Sequence, residues 1–125
     1  MPVRGIRGAI DVAGDRADEV LASTRALLLA IQQSNPELRT EDIASIWFTS
    51  TPDLVSIAPA RAARDLGWTL IPLMCTSELP VAGSLPYIIR VLIHWNTNLP
   101  QSAIRHVYLG AAACLRPDLN ESVDL

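Results

Sequence analysis

Lysine does not occur in the 125 residues; all ten cationic side chains are arginines, set against 13 aspartates and glutamates for a formal net charge of −3. There is no basic block and no stripe of aromatic residues interleaved with basic ones. The electrostatic footprint that nucleic acid or an anionic lipid surface requires is therefore missing. Aromatics number only six, so the apolar half of the chain is mostly small aliphatic side chains. No window reaches the roughly 18 apolar residues that span a bilayer, and "MPVRGIRG" has no apolar core of signal-peptide length. No membrane association is expected, and the cytoplasm is the default location. The two cysteines, Cys75 and Cys114, show no metal-ligand spacing and in a reducing compartment are expected to remain thiols.

What is present is one domain's worth of chain, 1–125, able to bury roughly two-thirds of the surface its unfolded form exposes. Mean hydropathy is +0.26, high for a small soluble monomer, and part of the apolar surface is expected between subunits. Residues 2–10 read as a strand. "DRADEVLASTRALLLAIQQSN" places Val20, Leu21, Leu27, Leu28 and Ile31 near one face of a long helix over 16–34, with Asp15 as its N-cap. "NPELRTED" is a connector with one helical turn, and "IASIWFTST" a strand rich in β-branched and aromatic residues. "APARAARDLG" is a short helix with Pro59 in its first turn and Gly67 closing it. Strands are then expected at "WTLIPLMCT", "YIIRVLIHW" and "RHVYLG", although the run 87–95 would also suit a buried helix. The order β-α-β-α-β-β-β implies an α+β fold, a mixed five-stranded sheet with a long and a short helix on one face. The tail over 116–125, "RPDLNESVDL", is polar and expected to be mobile.

Charge placement is the most informative feature. From Leu66 to Leu115 the charged side chains are Glu78, Arg90 and Arg105 alone, although this stretch supplies much of the core. A buried, unanswered guanidinium costs several kcal/mol. Arg90, in the middle of "YIIRVLI", therefore has either a salt bridge to Glu78, an edge position, or an anionic ligand. "RGIRGAI" poses the same question at residues 4–10, where arginines and glycines stand in place of valines. By strand parity Arg4 and Arg7 lie on opposite faces.

Taken together, "RGIRGA", "TPDL…APARAARDL", "CTSE", "IRVL" and "IRHVYL…LRPDL" resemble, in order and spacing, the trimeric α/β class of chorismate mutases, the AroH class, from Arg4 to Leu119. The resemblance implies a homotrimeric pseudo-barrel with sites between neighbours. The activity it implies is rearrangement of chorismate to prephenate by a [3,3] shift, without metal or cofactor. It implies Arg90 at the ether oxygen and a carboxylate, Arg7 with Tyr108 at the side-chain carboxylate, and Glu78 and Cys75 at the ring hydroxyl. Arg64 would attract the ring carboxylate, while Leu115 and Arg116 close the site. Ala58, Ala60, Arg61, Leu73 and Met74 complete the implied binding set, with Arg4 structural. Three positions depart from the pattern: Ala58 where an aromatic is common, Arg61 where lysine is, and Met74 where threonine is.

His94 and His106 are general-base candidates for another class of enzyme, but neither has a nucleophile or carboxylate at useful spacing, and sheet positions account for both. Two rival readings stand beside the resemblance. A trimeric imine deaminase of the Rid type leaves "CTSE" and "LRPDL" without a reason; a non-catalytic trimer that senses aromatic-pathway metabolites would use the same residues.

Overall fold

The computed structural model describes residues 1–118. Strand β1 (Val3–Asp11) is followed by helix α1 (Ala17–Ser34), β2 (Ile43–Ser50), α2 (Ala60–Asp65), β3 (Leu73–Ser77), β4 (Ile88–Asn96) and β5 (Val107–Tyr108). This is the expected element order, and the run expected at 87–95 is a strand over Ile88–Asn96, Tyr87 falling outside it with φ 53°. Residues 119–125, most of the tail expected to be mobile, lie outside the described residues.

The sheet runs β3-β2-β4-β1-β5. The central pairs β2·β4 and β1·β4 are antiparallel, and the outer pairs β2·β3 and β1·β5 are parallel, so the sheet is mixed. Side chains alternate across it. Ile6, Ile46, Phe48, Val91, Ile93 and Trp95 pack with Leu27, Leu28 and Ile31 of α1 and Ala60 and Ala63 of α2 in one core on one face. Arg7, Trp47, Thr49, Arg90 and Leu92 occupy the other face, which neither α1 nor α2 covers. There Trp47 is 41% and Met74 57% exposed. Among the described residues no helix is long and apolar enough to cross a membrane.

Several boundaries differ from the sequence reading, each for a local reason. Asp15 does not cap α1: its Oδ1 accepts the N–H groups of Val55 and Ser56 at 3.1 and 3.0 Å, and Arg16 is the N-cap instead. The Ser56 hydroxyl first, and then these backbone bonds, hold the Asp15 carboxyl below its ordinary range. The first turn of α1 carries Asp18 and Glu19, which suit the positive end of its dipole. Helix α2 begins after Pro59 rather than including it. Strand β3 starts at Leu73 and not Trp68, because Trp68 and Ile71 turn into the core and Pro72 offers only its carbonyl, which accepts Ile46 N–H at 3.0 Å. Strand β5 shrinks to Val107–Tyr108, since Gly110–Cys114 forms a 3-10 turn.

Of the two glycines in the opening stretch, Gly8 faces the core. A Cβ there would lie 2.9 Å from Ile31 Cδ1, 3.0 Å from Val91 Cγ1 and 3.2 Å from Leu27 Cδ1, three packed side chains that would have to give together. A Cβ on Gly5 would meet Leu92 Cδ1 at an ordinary 3.6 Å. Gly8→Ala is expected to cost about 1–3 kcal/mol by overpacking, read as a lower urea midpoint, with Gly5→Ala close to wild type. Equal midpoints would mean that the sheet and α1 are not in close contact at Gly8.

Candidate active site

The open face of the sheet acquires its chemistry from alternation. In β1, Ile6 and Gly8 turn to the helices and Arg7 to the other side; in β4, Val91 and Ile93 turn inward and Arg90 outward. Arg90 is paired across the ladder with Ala9 on one side and Thr49 on the other, which places it near the middle of the sheet. A cavity of about 450 Å³ lies over this face, within the usual range for a small-molecule site. Arg7, Glu78, Arg90, Tyr108 and Arg116 line it together with Trp47, Thr49 and Leu92. A smaller cavity of about 70 Å³ shares Glu78 and Arg90 and adds Ile88 and Leu115.

The sheet interior supplies Arg90 with one partial answer. Its Nε lies 3.2 Å from Glu78 Oε1, close enough for an ion pair. The N–H is not directed at that oxygen, so Nε is a buried donor with no hydrogen-bond partner among the described residues. Glu78 is held from elsewhere: its Oε1 accepts the Thr49 hydroxyl, and its backbone N–H donates to Ser50 O at 2.9 Å. The carboxylate is fixed beside the guanidinium without satisfying it.

The other groups are set by the edge of the sheet. Tyr108 is buried against Ala9, Ile88 and Ala112, next to Leu115. Gly110, with φ 59°, has room for no side chain: a Cβ would fall onto Asp11 Oδ1, which accepts Ala111 N–H at 3.1 Å. This close approach brings the last turn back over β1 and delivers Leu115 and Arg116 to the cavities. Arg116 grips Asp118 with two bonds of 3.1 and 2.9 Å, which hold the Asp118 carboxyl below its ordinary range. Three guanidiniums, those of Arg7, Arg90 and Arg116, thus surround one cavity with a single lining carboxylate among the described residues. The arrangement suits a multiply charged anion.

The remaining candidates stand elsewhere on the chain. Ala58 and Cys75 line a separate shallow groove of about 470 Å³ beside the N-terminal end of α2. Arg64 is exposed on α2, Arg61 is engaged with Asp65 at 3.2 Å, and Ala60 is buried in the core. Leu73 and Met74 lie on the edge strand β3, where Met74 pairs with Trp47 and Cys75 with Phe48, so that they point to opposite faces. Arg4 is structural, its Nε donating to Leu99 O at 2.9 Å. Thr49, Trp47 and Leu92 were not among the expected residues. Their signal is positional, since each shares a face with Arg90 or Arg7 once the strand register is known.

The two histidines support the sheet. His94 Nδ1 bonds the Ser45 hydroxyl at 2.9 Å. His106 precedes β5, and its Nδ1 accepts the backbone N–H of Arg7 at 2.9 Å, so the neutral ring carries its proton on Nε2.

The chain is similar to known proteins along nearly its whole length. The family model described as chorismate mutase type I matches residues 3–119. The chain is 49% identical over 120 residues to the chorismate mutase AroH of Thermus thermophilus, covering 96% of this chain and 98% of the relative. It is 43% identical over 121 residues to the chorismate mutase AroH of Bacillus subtilis, covering 96% and 94%. The solved chorismate mutase from Clostridium thermocellum superposes with a TM-score of 0.85 at 46% identity, over 88% of this chain and 97% of that one.

The His106 contact makes a prediction about pH. Burial first, then the charges of Arg7 and Arg116, lower its pKa from the ordinary 6.5. Because the unfolded chain takes up the proton first as pH falls, the stability from neutral His106 is complete above about 6.5 and is lost progressively below it. The ring should titrate by NMR with a midpoint below 6.5, and the wild type should lose more Tm than His106→Gln between neutral and mildly acidic pH. A midpoint at or above 6.5 would contradict the assignment of Nδ1 as acceptor.

Proposed function

The chain belongs to the chorismate mutase type I family and catalyses the conversion of chorismate to prephenate, and on that premise we propose that Arg90 performs the chemical part of the work by placing its charge at the substrate's ether oxygen. The reaction is an intramolecular [3,3] shift in the route to phenylalanine and tyrosine. The ether C–O bond breaks as a new C–C bond forms, and negative charge grows on the ether oxygen. No nucleophile or proton donor is required; the enzyme helps by holding the compact conformer of a flexible dianion and by aiming fixed positive charge at that oxygen.

The observation that carries this reading is the Arg90 guanidinium, anchored beside Glu78 at its buried Nε while the side chain stays 42% exposed in the cavity over an apolar strand. Glu78 accepts the ring hydroxyl and keeps Arg90 from turning away. Arg7, with Tyr108, takes the side-chain carboxylate; Arg116 exchanges Asp118 for substrate, and Leu115 covers the site. These residues share two adjoining cavities.

Ala58, Ala60, Arg61, Arg64, Leu73, Met74 and Cys75 form the other half of the site, contributed by a neighbouring copy. Two features support a homotrimer with its sites between subunits. In one chain, Cys75 and Ala58 line a groove separate from the Arg90 cavity. The open sheet face, with Trp47, Met74 and Leu92 exposed, is apolar surface of the kind subunit contacts cover. Arg64 then meets the ring carboxylate from across the interface. Ala60, whose side chain is buried, takes part through its backbone. The cytoplasm is the proposed location, in keeping with two exposed free cysteines.

The arginines are distinguished by kinetics. Arg7 and Arg64 meet carboxylates that are equally charged in the ground and transition states, so Arg7→Ala and Arg64→Ala should act largely on KM. Arg90 faces charge that grows, and its replacement should lower kcat by about 10²–10³ or more. Arg90→Lys should recover only part, since one ammonium cannot serve the ether oxygen and a carboxylate together. The test is kcat at saturating chorismate for the three variants side by side. Near-normal kcat in Arg90→Lys with a collapse in Arg7→Ala would remove Arg90 from this role.

A further inference from the structure

The motif "TPDL" at residues 51–54 does not line the cavity over Arg7, although Thr51 lines the smaller one beside Arg90, and it is tied to the strand that carries Arg90. Tyr87 is the one non-glycine residue among those described with positive φ, at 53°. A side chain is disfavoured in that conformation unless neighbours hold it there. What holds it is Asp53. The Asp53 carboxylate accepts the backbone N–H of Tyr87, at 3.3 Å to Oδ1 and 3.1 Å to Oδ2, and also the hydroxyl of Thr51. Thr51 Oγ1 in turn accepts Ile88 N–H at 3.0 Å, and Thr51 N–H donates to Ile88 O at 3.0 Å. From the other side, Val12 N–H donates to Tyr87 O at 2.8 Å.

These bonds lie at the end of β2, where three successive residues hold both ends of the loop between Glu78 and Tyr87. The hydroxyl of Thr49 holds Glu78, Ser50 O accepts Glu78 N–H, and Thr51 clamps Ile88. Arg90 is two residues beyond Ile88 and directly opposite Thr49. Fraying at Tyr87 and Ile88 would loosen the end of β4 two residues from Arg90, while Glu78 stays held by Thr49 and Ser50.

We propose that Asp53, acting through Thr51 and the left-handed Tyr87 backbone, is a positioning residue that sets Arg90 against Glu78 for the reaction. The proposal rests on the role given to Arg90 above. It also explains why a loop residue that does not line the main cavity carries a carboxylate: one backbone N–H, shared by both oxygens, and one hydroxyl are answered at one point, and an aspartate does this on the shortest stem.

The experiment measures kcat and KM for chorismate, with circular dichroism as a check of folding, for Asp53→Ala, Asp53→Asn, Tyr87→Gly, the double variant Asp53→Ala/Tyr87→Gly, and Arg90→Gln. Misplacement of a charge by about an ångström costs up to 10²-fold, so Asp53→Ala should lower kcat roughly ten- to hundredfold with KM changed far less. Asp53→Asn keeps an acceptor for Tyr87 N–H and should lose only a few-fold. Glycine adopts φ 53° without help, so Tyr87→Gly should be near normal alone and should restore most of the kcat lost in Asp53→Ala. A general loss of structure would not produce a kcat-selective defect that a glycine repairs. Normal kcat in Asp53→Ala alongside a collapse in Arg90→Gln would overturn the positioning role and leave the role of Arg90 standing. Normal kcat in Arg90→Gln would overturn both. If Asp53→Ala does not fold, Asp53→Asn with and without Tyr87→Gly carries the test, and absence of any rescue overturns the proposal.

Discussion

The guanidinium of Arg90 lies over the sheet face that the helices leave open, 3.2 Å from a carboxylate held in place by Thr49 and Ser50 and with its Nε–H unsatisfied. The guanidinium is buried only at Nε and is otherwise open to the cavity, and the surrounding structure fixes it there without covering it. Helices α1 and α2 both pack on the opposite face, so the main core lies there and the Arg90 side carries the smaller cluster of Ala9, Ile88, Tyr108 and Ala112. The mixed strand order puts β4 in the centre, between β2 and β1, so that Glu78, Thr49, Arg7 and Tyr108 can all approach Arg90 from neighbouring strands and their ends. The exposed part of the guanidinium is available to a ligand.

The same arrangement accounts for the surface. A sheet with one face on helices and one face bearing Trp47, Met74 and Leu92 leaves apolar side chains in water. It also leaves Ala58 and Cys75 in a groove of their own. Association of copies through these surfaces would bury the exposed side chains and would bring an Arg64 to each Arg90. Stability of the assembly and completeness of the site would then be one requirement. The preponderance of arginine suits it, because fork-shaped donors bind carboxylates in fixed geometry.

Much of this was legible in the sequence. Arg7 and Arg90 stand out as charges inside apolar strands, and alternation alone assigns Arg4 and Arg7 to opposite faces, as found. The long helix follows from the spacing of Val20, Leu27, Leu28 and Ile31, all fully buried. The buried Thr24 broke the apolar pattern but is satisfied within the helix, its hydroxyl donating to Val20 O at 2.7 Å. Less was visible where a polar residue acts at a distance in sequence. Asp15 looks like a cap for the helix beside it, yet bonds backbone some 40 residues on. Thr49 and Asp53 look like a strand end and a turn; their roles depend on the register that sets Thr49 opposite Arg90 and Thr51 beside Ile88. Trp68 and Ile71 have strand-like composition, but the core claimed their side chains before the ladder began.

The central claim is that Arg90 works in a site completed by a neighbouring copy, and subunit mixing tests it most directly. Arg90→Ala and Arg64→Glu chains, each of little activity alone at low chorismate, are unfolded, mixed in equal amounts and refolded together. If one copy supplies Arg90 and the next Arg64, random assortment leaves about one quarter of the sites with both halves intact, and the mixture should recover about a quarter of wild-type activity. A mixture no more active than the sum of its separate components, with the two chains shown to co-assemble, would contradict the account and place Arg64 and Arg90 in the same half of the site.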